Sequence, residues 1–379
     1  MITIKEIKTA AEIKQFVLFP WRIYKNDPNW VPPLIKGQCD FFNADKNPFY
    51  RHSKVMLLMA FRDGSPRFGE AGEPVGRLSV HENTLHVEKH HEQVGFFGFF
   101  ESIDDFAVTK ALFDYGKNWL ENLGYEKMRG PANFSINGEY SLLVKGFDSP
   151  PVVLMTYNPW YYERLLKQYG FKTSQEMYAY QLYTETGIPN SVIKRAEEVE
   201  KNHPEFKVRK MKKANLDDEA KIVNKIYNEA WDENWGAVPF TDKEIMALAK
   251  ELKMILDEDI AYIGEINGEP IGFSLSIPDA NQALKAANGR LFPFGFLKML
   301  WAKRKINGVR VLVMGILKKY RHHDFDKVFY KKTYEVGRNK GYLFAEASLI
   351  NESNIPMRHV LEKLGARIYK TYRMYDLNF

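Results

Sequence analysis

Asn158-Pro-Trp-Tyr-Tyr-Glu-Arg-Leu-Leu-Lys-Gln-Tyr-Gly170-Phe171 and Asn354-Ile-Pro-Met-Arg-His-Val-Leu-Glu-Lys-Leu-Gly365-Ala366 are two versions of one segment. Each opens on a polar residue able to cap a helix, continues with apolar residues at helical spacing, and stops at glycine. Each then enters a strand. Tyr180 and Leu182 lie 10 and 12 residues past Gly170, and Tyr375 and Leu377 lie 10 and 12 past Gly365. The chain is therefore read as a repeat.

Gly365 follows Gly170 by 195 residues (365 − 170), and Pro270-Ile-Gly272 follows Pro74-Val-Gly76 by 196 (272 − 76). Between these anchors, Gly98 in GFFGFF aligns with Gly315 in VLVMG, and Gly124-Tyr125 with Gly341-Tyr342, both at 217 (315 − 98 and 341 − 124). Two insertions account for the slip, one near 280–308 and one near 131–157.

The second half predicts strand 206–211, helix 215–230, helix 241–256, and a hairpin 260–266/270–277 turning on Asn267-Gly268. Strand 309–316, helix 325–340, strand 343–349, helix 354–364 and strand 367–377 follow. Thr241 or Asp242 caps the second helix. The first half repeats this order from strand 2–7 and a helix introduced by the capping box Thr9-Ala-Ala-Glu12. The fold class is α/β, with two domains in tandem, each a mixed and mostly antiparallel sheet flanked by helices. The expected boundaries are 1–186, a linker 187–204 whose residues 190–202 read as a solvated charged helix, and 205–379.

Composition agrees. A chain of 379 residues suits two domains, and 45% hydrophobic with 14% aromatic residues can bury two cores. The net charge of +6 lacks the concentrated basic face that nucleic acid requires. No stretch approaches the roughly 18 apolar residues of a membrane span. The single cysteine, Cys39, fits a reducing cytoplasm and has no nearby His to activate it. His90-His91 and His322-His323 lack a third ligand at zinc spacing, so no metal is expected.

This element order, with an Asn-initiated last helix ending at Leu-Gly or Tyr-Gly, resembles the GNAT acyltransferase superfamily. The strings DPNWVPPL (27–34), VGFFGFFESIDD (94–105), GFDSPPV (146–152), NEAWDENWGAVPFT (228–241) and NGRLFPFGFLKMLWAKRKINGVRVL (288–312) resemble a bacterial family of tandem GNAT-like proteins. The resemblance implies acyl-CoA as co-substrate, its pyrophosphate cradled at a helix N-terminus after the fourth strand, where glycines allow close approach. The aligned residues are Gly315, Ile316, Leu317, Arg321, His322, His323, Asp324, Phe325 and Asp326. Arg321 keeps the family's pattern, whereas Asp324 and Asp326 replace small residues. Asn354 caps the last helix and in the family also touches the pantetheine arm. The first half offers Glu101-Ser102-Ile103-Asp104-Asp105 at the same place and reads as a domain that does not bind CoA, with Asn133 to Tyr140 as a loop over the acceptor cleft.

Acylating an amine from a thioester requires a base for the amine, polarisation of the carbonyl and an acid for the leaving thiolate. Glu346, on the predicted fifth strand, is the preferred base. Glu233 and Trp235 are candidates for the acceptor wall. The family's acid tyrosine, expected four residues before Gly365, is Leu361. The acceptor is expected to be an amine-bearing small molecule or lipid. Residues 291–305 (LFPFGFLKMLWAKRK) can lie on an anionic bilayer, admit a long acyl chain, or pack in the core. The leading expectation is an acyl-CoA-dependent N-acyltransferase. Beside it stand a catalytically silent binding protein on the same scaffold and an aminoacyl-tRNA-dependent transferase, for which the basic surface is missing.

Overall fold

The computed structural model describes residues 1–63 and 72–379. In chain order the elements are β1 (Ile2–Glu6), α1 (Ala10–Leu18), α2 (Pro20–Ile23), α3 (Ile35–Phe41), β2 (Val55–Arg62), β3 (Glu73–His81), α4 (Thr84–His90), β4 (Val94–Ser102) and α5 (Phe106–Asn122). Next come β5 (Lys127–Gly130), β6 (Leu142–Lys145), α6 (Tyr162–Tyr169), β7 (Lys172–Tyr183), α7 (Asn190–Asn202), β8 (Phe206–Lys210), α8 (Leu216–Ala230) and α9 (Asp242–Leu252). The remainder is β9 (Ala261–Ile266), β10 (Glu269–Pro278), α10 (Asn281–Ala287), α11 (Gly295–Lys303), β11 (Gly308–Ile316), α12 (Phe325–Asn339), β12 (Phe344–Asn351), α13 (Ile355–Lys363) and β13 (Arg367–Asn378).

Local chemistry sets these boundaries. Thr9 and Glu12 cap α1 reciprocally, and Thr241 with Glu244 does the same for α9. Asn267 and Gly268 both have positive φ (51° and 83°), as the I′ turn between β9 and β10 demands.

Two compact units result. The first comprises 1–176, 284–297 and 371–379; the second comprises 177–283 and 298–370. The first unit's sheet runs β1-β2-β3-β4-β5-β13, with β6 also on β13. Its pairs are antiparallel except β4 with β5. Leu58, Leu78, Phe97, Leu112 and Phe113 form its core under α5. The second unit's sheet runs β8-β9-β10-β11-β12-β7, antiparallel except β11 with β12.

The two sheets share one pairing pattern, and the units divide the chain differently from the sequence halves 1–186 and 205–379. Residues 177–183 of β7 complete the second unit's sheet, and residues 371–378 of β13 complete the first unit's. Helix α7 is more than a solvated connector. Ala196 and Val199 are buried with Phe325, Val328 and Phe329 of α12.

Strand pairing also corrects the repeat. Gly76 faces Ser102, and its counterpart Gly272 faces Ile316. The equivalent of Gly98 is therefore Leu312, and Gly315 is the equivalent of Glu101. A glycine at each strand had drawn the sequence alignment three residues out of place.

Candidate active site

Parallel strands β11 and β12 pair only over a short stretch, from Gly308 with Phe344 to Val311 with Ala347. Beyond it β11 follows β10 to Ile316, and β12 follows β7 to Asn351. The strands part at Leu312 and Ser348. At the same level the β10–β11 ladder shifts register, leaving Leu312 out of the pairing as a bulge. Val311 to Met314 are only half-buried although β11 is an interior strand, so the split has an accessible wall.

Glu346 stands at the apex of this split, one residue before the last pair. Arg310 on β11 and Gln181 on β7 are its cross-strand partners. Glu346 is fully buried. Ser348 Oγ donates to its Oε1 at 2.5 Å, and the Tyr369 hydroxyl donates to Oε2. Arg310 Nη2 donates to the Ser348 carbonyl at 3.3 Å, tying the cluster to the start of the split. Burial raises the Glu346 carboxyl to about 7, against the opposing pull of Arg310 and Lys370. A carboxyl at that value holds or releases a proton near neutral pH, which is what a general base requires.

Sequence alone picked out Glu346 but not its surroundings. Arg310 sits inside the apolar run VRVLV, and Lys370 and Tyr369 inside the alternating strand RIYKTY. For Arg310 and Lys370 the signal was a charged residue placed where a buried strand should be apolar, and Tyr369 carried none. Lys370 is fully buried.

The loop from β11 to α12 brings the other candidates together. Gly315 is glycine because an added side chain would meet Trp231, whose ring packs beside Phe273. Ile316 ends the strand, and Leu317 N–H returns to the Ile271 carbonyl at 2.9 Å. Arg321 Nη2 donates to the Ala230 carbonyl at 2.6 Å and Nε to the Ile316 carbonyl at 3.3 Å. It thereby fastens the end of α8 to the end of β11. His322 is exposed, and His323 stacks on Phe325 with ring centroids 5.3 Å apart. Phe325 in turn stacks on Phe206. Asp326 pairs with Lys327 at 2.7 Å.

Asp324 has φ +58°, the left-handed conformation that glycine adopts most easily, and no side chain caps α12. Its carboxylate turns instead to Arg195 of α7, Nε to Oδ2 at 2.8 Å. No side chain therefore caps the N–H groups opening α12, and the carboxylate in its first turn, Asp326, is paired with Lys327. Asn354 caps α13, its Oδ1 accepting from Met357 N–H at 3.3 Å. Leu361 is buried among Tyr180, Ile188 and Leu364 and offers no proton. Glu233 lies apart from Glu346, in an exposed ion pair with Lys318 at 2.8 Å.

The first unit carries the same split, filled. Strands β4 and β5 pair from Val94 with Lys127 to Phe96 with Arg129, and Phe99 forms the bulge at φ +48°. Here Ala132 N–H donates to the Phe97 carbonyl at 2.7 Å, and Asn133 Oδ1 accepts from Phe99 N–H at 2.9 Å. Residues 131–134 occupy the gap. Further along β4, Glu101 accepts from Tyr24 at 2.9 Å and Tyr162 at 2.7 Å and faces Arg77 at 3.6 Å. Ser102 N–H is taken by the Tyr162 hydroxyl, and Asp105 caps α5 through Ala107 N–H at 2.9 Å. The strings DPNWVPPL and NGRLF also acquire a reason: Ile35 N–H reaches the Gly289 carbonyl, Trp21 Nε1 reaches Asn288, and Trp21 and Trp30 pack edge to face.

No family model matches the chain. It is 34% identical to a protein named bacterial ceramide synthase from Caulobacter vibrioides, over 99% of this chain and 97% of that one. It is also 34% identical to the protein YghO of Escherichia coli, over 96% and 92%. Among solved structures, a tandem GNAT protein from the clavulanic acid biosynthesis pathway superposes with TM-score 0.58 at 11% identity, covering 100% of this chain and 98% of that one.

Proposed function

The chain belongs to the bacterial tandem GNAT-like family that includes the Caulobacter ceramide synthase and YghO, and from that premise we propose that its second unit is an acyl-CoA-dependent N-acyltransferase. The observation that carries the proposal is the contrast between the two splits. In the first unit the gap, the helix N-terminus and the adjoining backbone are filled by the protein's own groups. In the second unit the equivalent wall is accessible, α12 is uncapped, and a buried carboxyl of neutral pKa stands at the apex.

In this reading the CoA pyrophosphate lies at the N-terminus of α12, near His322, His323, Lys318 and Lys319, with Asp324 neutralised by Arg195. Asn354 sits beside the pantetheine arm, and Glu233 is held on Lys318 at 2.8 Å. The bulge at Leu312 frees backbone from the ladder at the level of the thioester carbonyl, where a donor polarises it. Glu346 takes a proton from the attacking amine as the C–N bond forms. When the C–S bond breaks, the thiolate receives a proton through Glu346 and Tyr369, which stands in for the acid missing at Leu361. The products are an amide and free CoA.

Because the Caulobacter relative is named for making a ceramide, the favoured acceptor is the amine of a long-chain lipid and the favoured donor a fatty acyl-CoA. Thiol release across acyl-CoAs of different length, with and without long-chain amino alcohols, tests this. Failure to bind CoA at millimolar concentration by calorimetry overturns the acyltransferase and leaves a silent scaffold.

A further inference from the structure

We propose that the segment Phe292–Lys305, with helix α11, is a docking surface for a bilayer bearing anionic headgroups. Its apolar side chains face outward: Phe292 is 83% exposed and Leu297 and Trp301 are each 62% exposed, with Phe294, Phe296 and Leu300 also open. On α11, residues 296, 297, 300 and 301 share one arc of the helix, while Met299 and Ala302 are half-buried on the inward side. No residue of α11 is buried. A surface of this kind on a soluble protein marks a place of contact.

Charge decides what covers it. From Ala280 to His323 the sequence holds ten Lys or Arg and no Asp or Glu. Four of them, Lys298, Lys303, Arg304 and Lys305, rim the apolar arc and are exposed, and none has a carboxylate partner among the described residues. Lys305 lies over the Trp301 ring, its Nζ 3.8 Å from the centroid, an arrangement suited to an aromatic at the headgroup level with a cation above it. A second copy presenting the same face would set four cations against four, which disfavours a symmetric dimer. An anionic lipid surface meets both halves of the pattern, apolar contact below and cation pairing at the rim. Among the described residues no helix is long and apolar enough to cross a membrane, so contact through this face is peripheral.

The test is flotation of the full chain with vesicles of phosphatidylcholine alone or mixed with phosphatidylglycerol, without CoA or amine, so its result is independent of the acyl-transfer reading. The wild type is expected to float with the mixed vesicles and to release in high salt. The double variant Phe292→Ser/Trp301→Ser and the triple variant Lys303→Glu/Arg304→Glu/Lys305→Glu should each partition at least about tenfold less, with an unchanged melting midpoint. Equal binding to neutral and mixed vesicles, or variants that float like the wild type, overturns the proposal. So does a wild-type dimer in sedimentation that these variants convert to monomer while flotation is unaffected.

Discussion

Arg195 Nε lies 2.8 Å from Asp324 Oδ2, so the carboxylate standing where the GNAT resemblance expects a glycine is already paired. Asp324 supplies the left-handed backbone of that glycine at φ +58°, and Arg195 cancels its charge. In the proposed acyl-CoA site, this pair from a helix distant in sequence offsets the loop's departure from the glycine pattern.

It follows that Asp324→Gly should change CoA affinity within about threefold, because an exposed, already paired charge contributes little. Arg195→Ala should weaken CoA binding more, by about fivefold, since it leaves the Asp324 carboxylate at the N-terminus of α12 with only the longer contact to Lys327 Nζ, 3.7 Å. The double variant should return toward wild type. Calorimetry with CoA at fixed ionic strength measures all three. A large gain in affinity from Asp324→Gly alone would instead identify a scaffold that had lost the cofactor.

Glu346→Gln should lower kcat by about 10²–10⁴-fold while CoA binding persists, the range for loss of a general base. In the wild type kcat should rise with pH through an apparent pKa of about 7, and this limb should vanish in the variant. Stability runs the other way. Between pH 4.5 and about 7 the folded protein holds a proton on Glu346 that the unfolded chain has released, so stability falls as pH rises through that window. Glu346→Gln should therefore melt higher than wild type at pH 8, relative to their difference at pH 4.5. A pH-rate profile and melting curves across pH check both statements.

In the first unit, Glu101 is held by Tyr24, Tyr162 and Arg77, and burial pushes its carboxyl up while Arg77 pulls it down. Glu101→Ala leaves a buried guanidinium facing two hydroxyls and should cost about 3 kcal/mol. CoA affinity should be unchanged, since this network belongs to the filled copy. Denaturant unfolding and calorimetry separate the two effects, and a parallel loss of CoA binding would refute the assignment of the cofactor to the second unit.

Much of this architecture was readable because its punctuation is local. Thr9 with Glu12, Asn267 with Gly268, and Gly170 and Gly365 announce their caps and turns within a few residues. Which sheet the last strands complete was not readable. TSQEMYAYQLY in β7 and RIYKTYRMYDLN in β13 have the same alternation, and either satisfies either edge. Of the site, Glu346 stood out as an acid between alanines. Arg195 did not, because a charged helix looks solvated until its partner is placed, and the insertion whose Asn133 to Tyr140 reads as a loop over an acceptor cleft gave no sign that Ala132 and Asn133 bond to Phe97 and Phe99 of β4.

The segment 131–134 makes the last prediction. A methyl group at Gly98 would stand 2.1 Å from the Ala132 carbonyl, backbone that cannot swing aside as a side chain can. Gly98→Ala must therefore displace residues 131–134, breaking the Ala132–Phe97 and Asn133–Phe99 hydrogen bonds that close the first unit's split. Overpacking combined with two lost buried hydrogen bonds should destabilise the protein by about 3 kcal/mol. Amide hydrogen exchange should accelerate at Phe99 and Ala132 before it does in the α5 core, because the gap opens locally while Leu112 and Phe113 remain packed. Exchange and stability both matching the wild type would show that the split is closed by something other than this segment, and the contrast between the two copies would lose its physical basis.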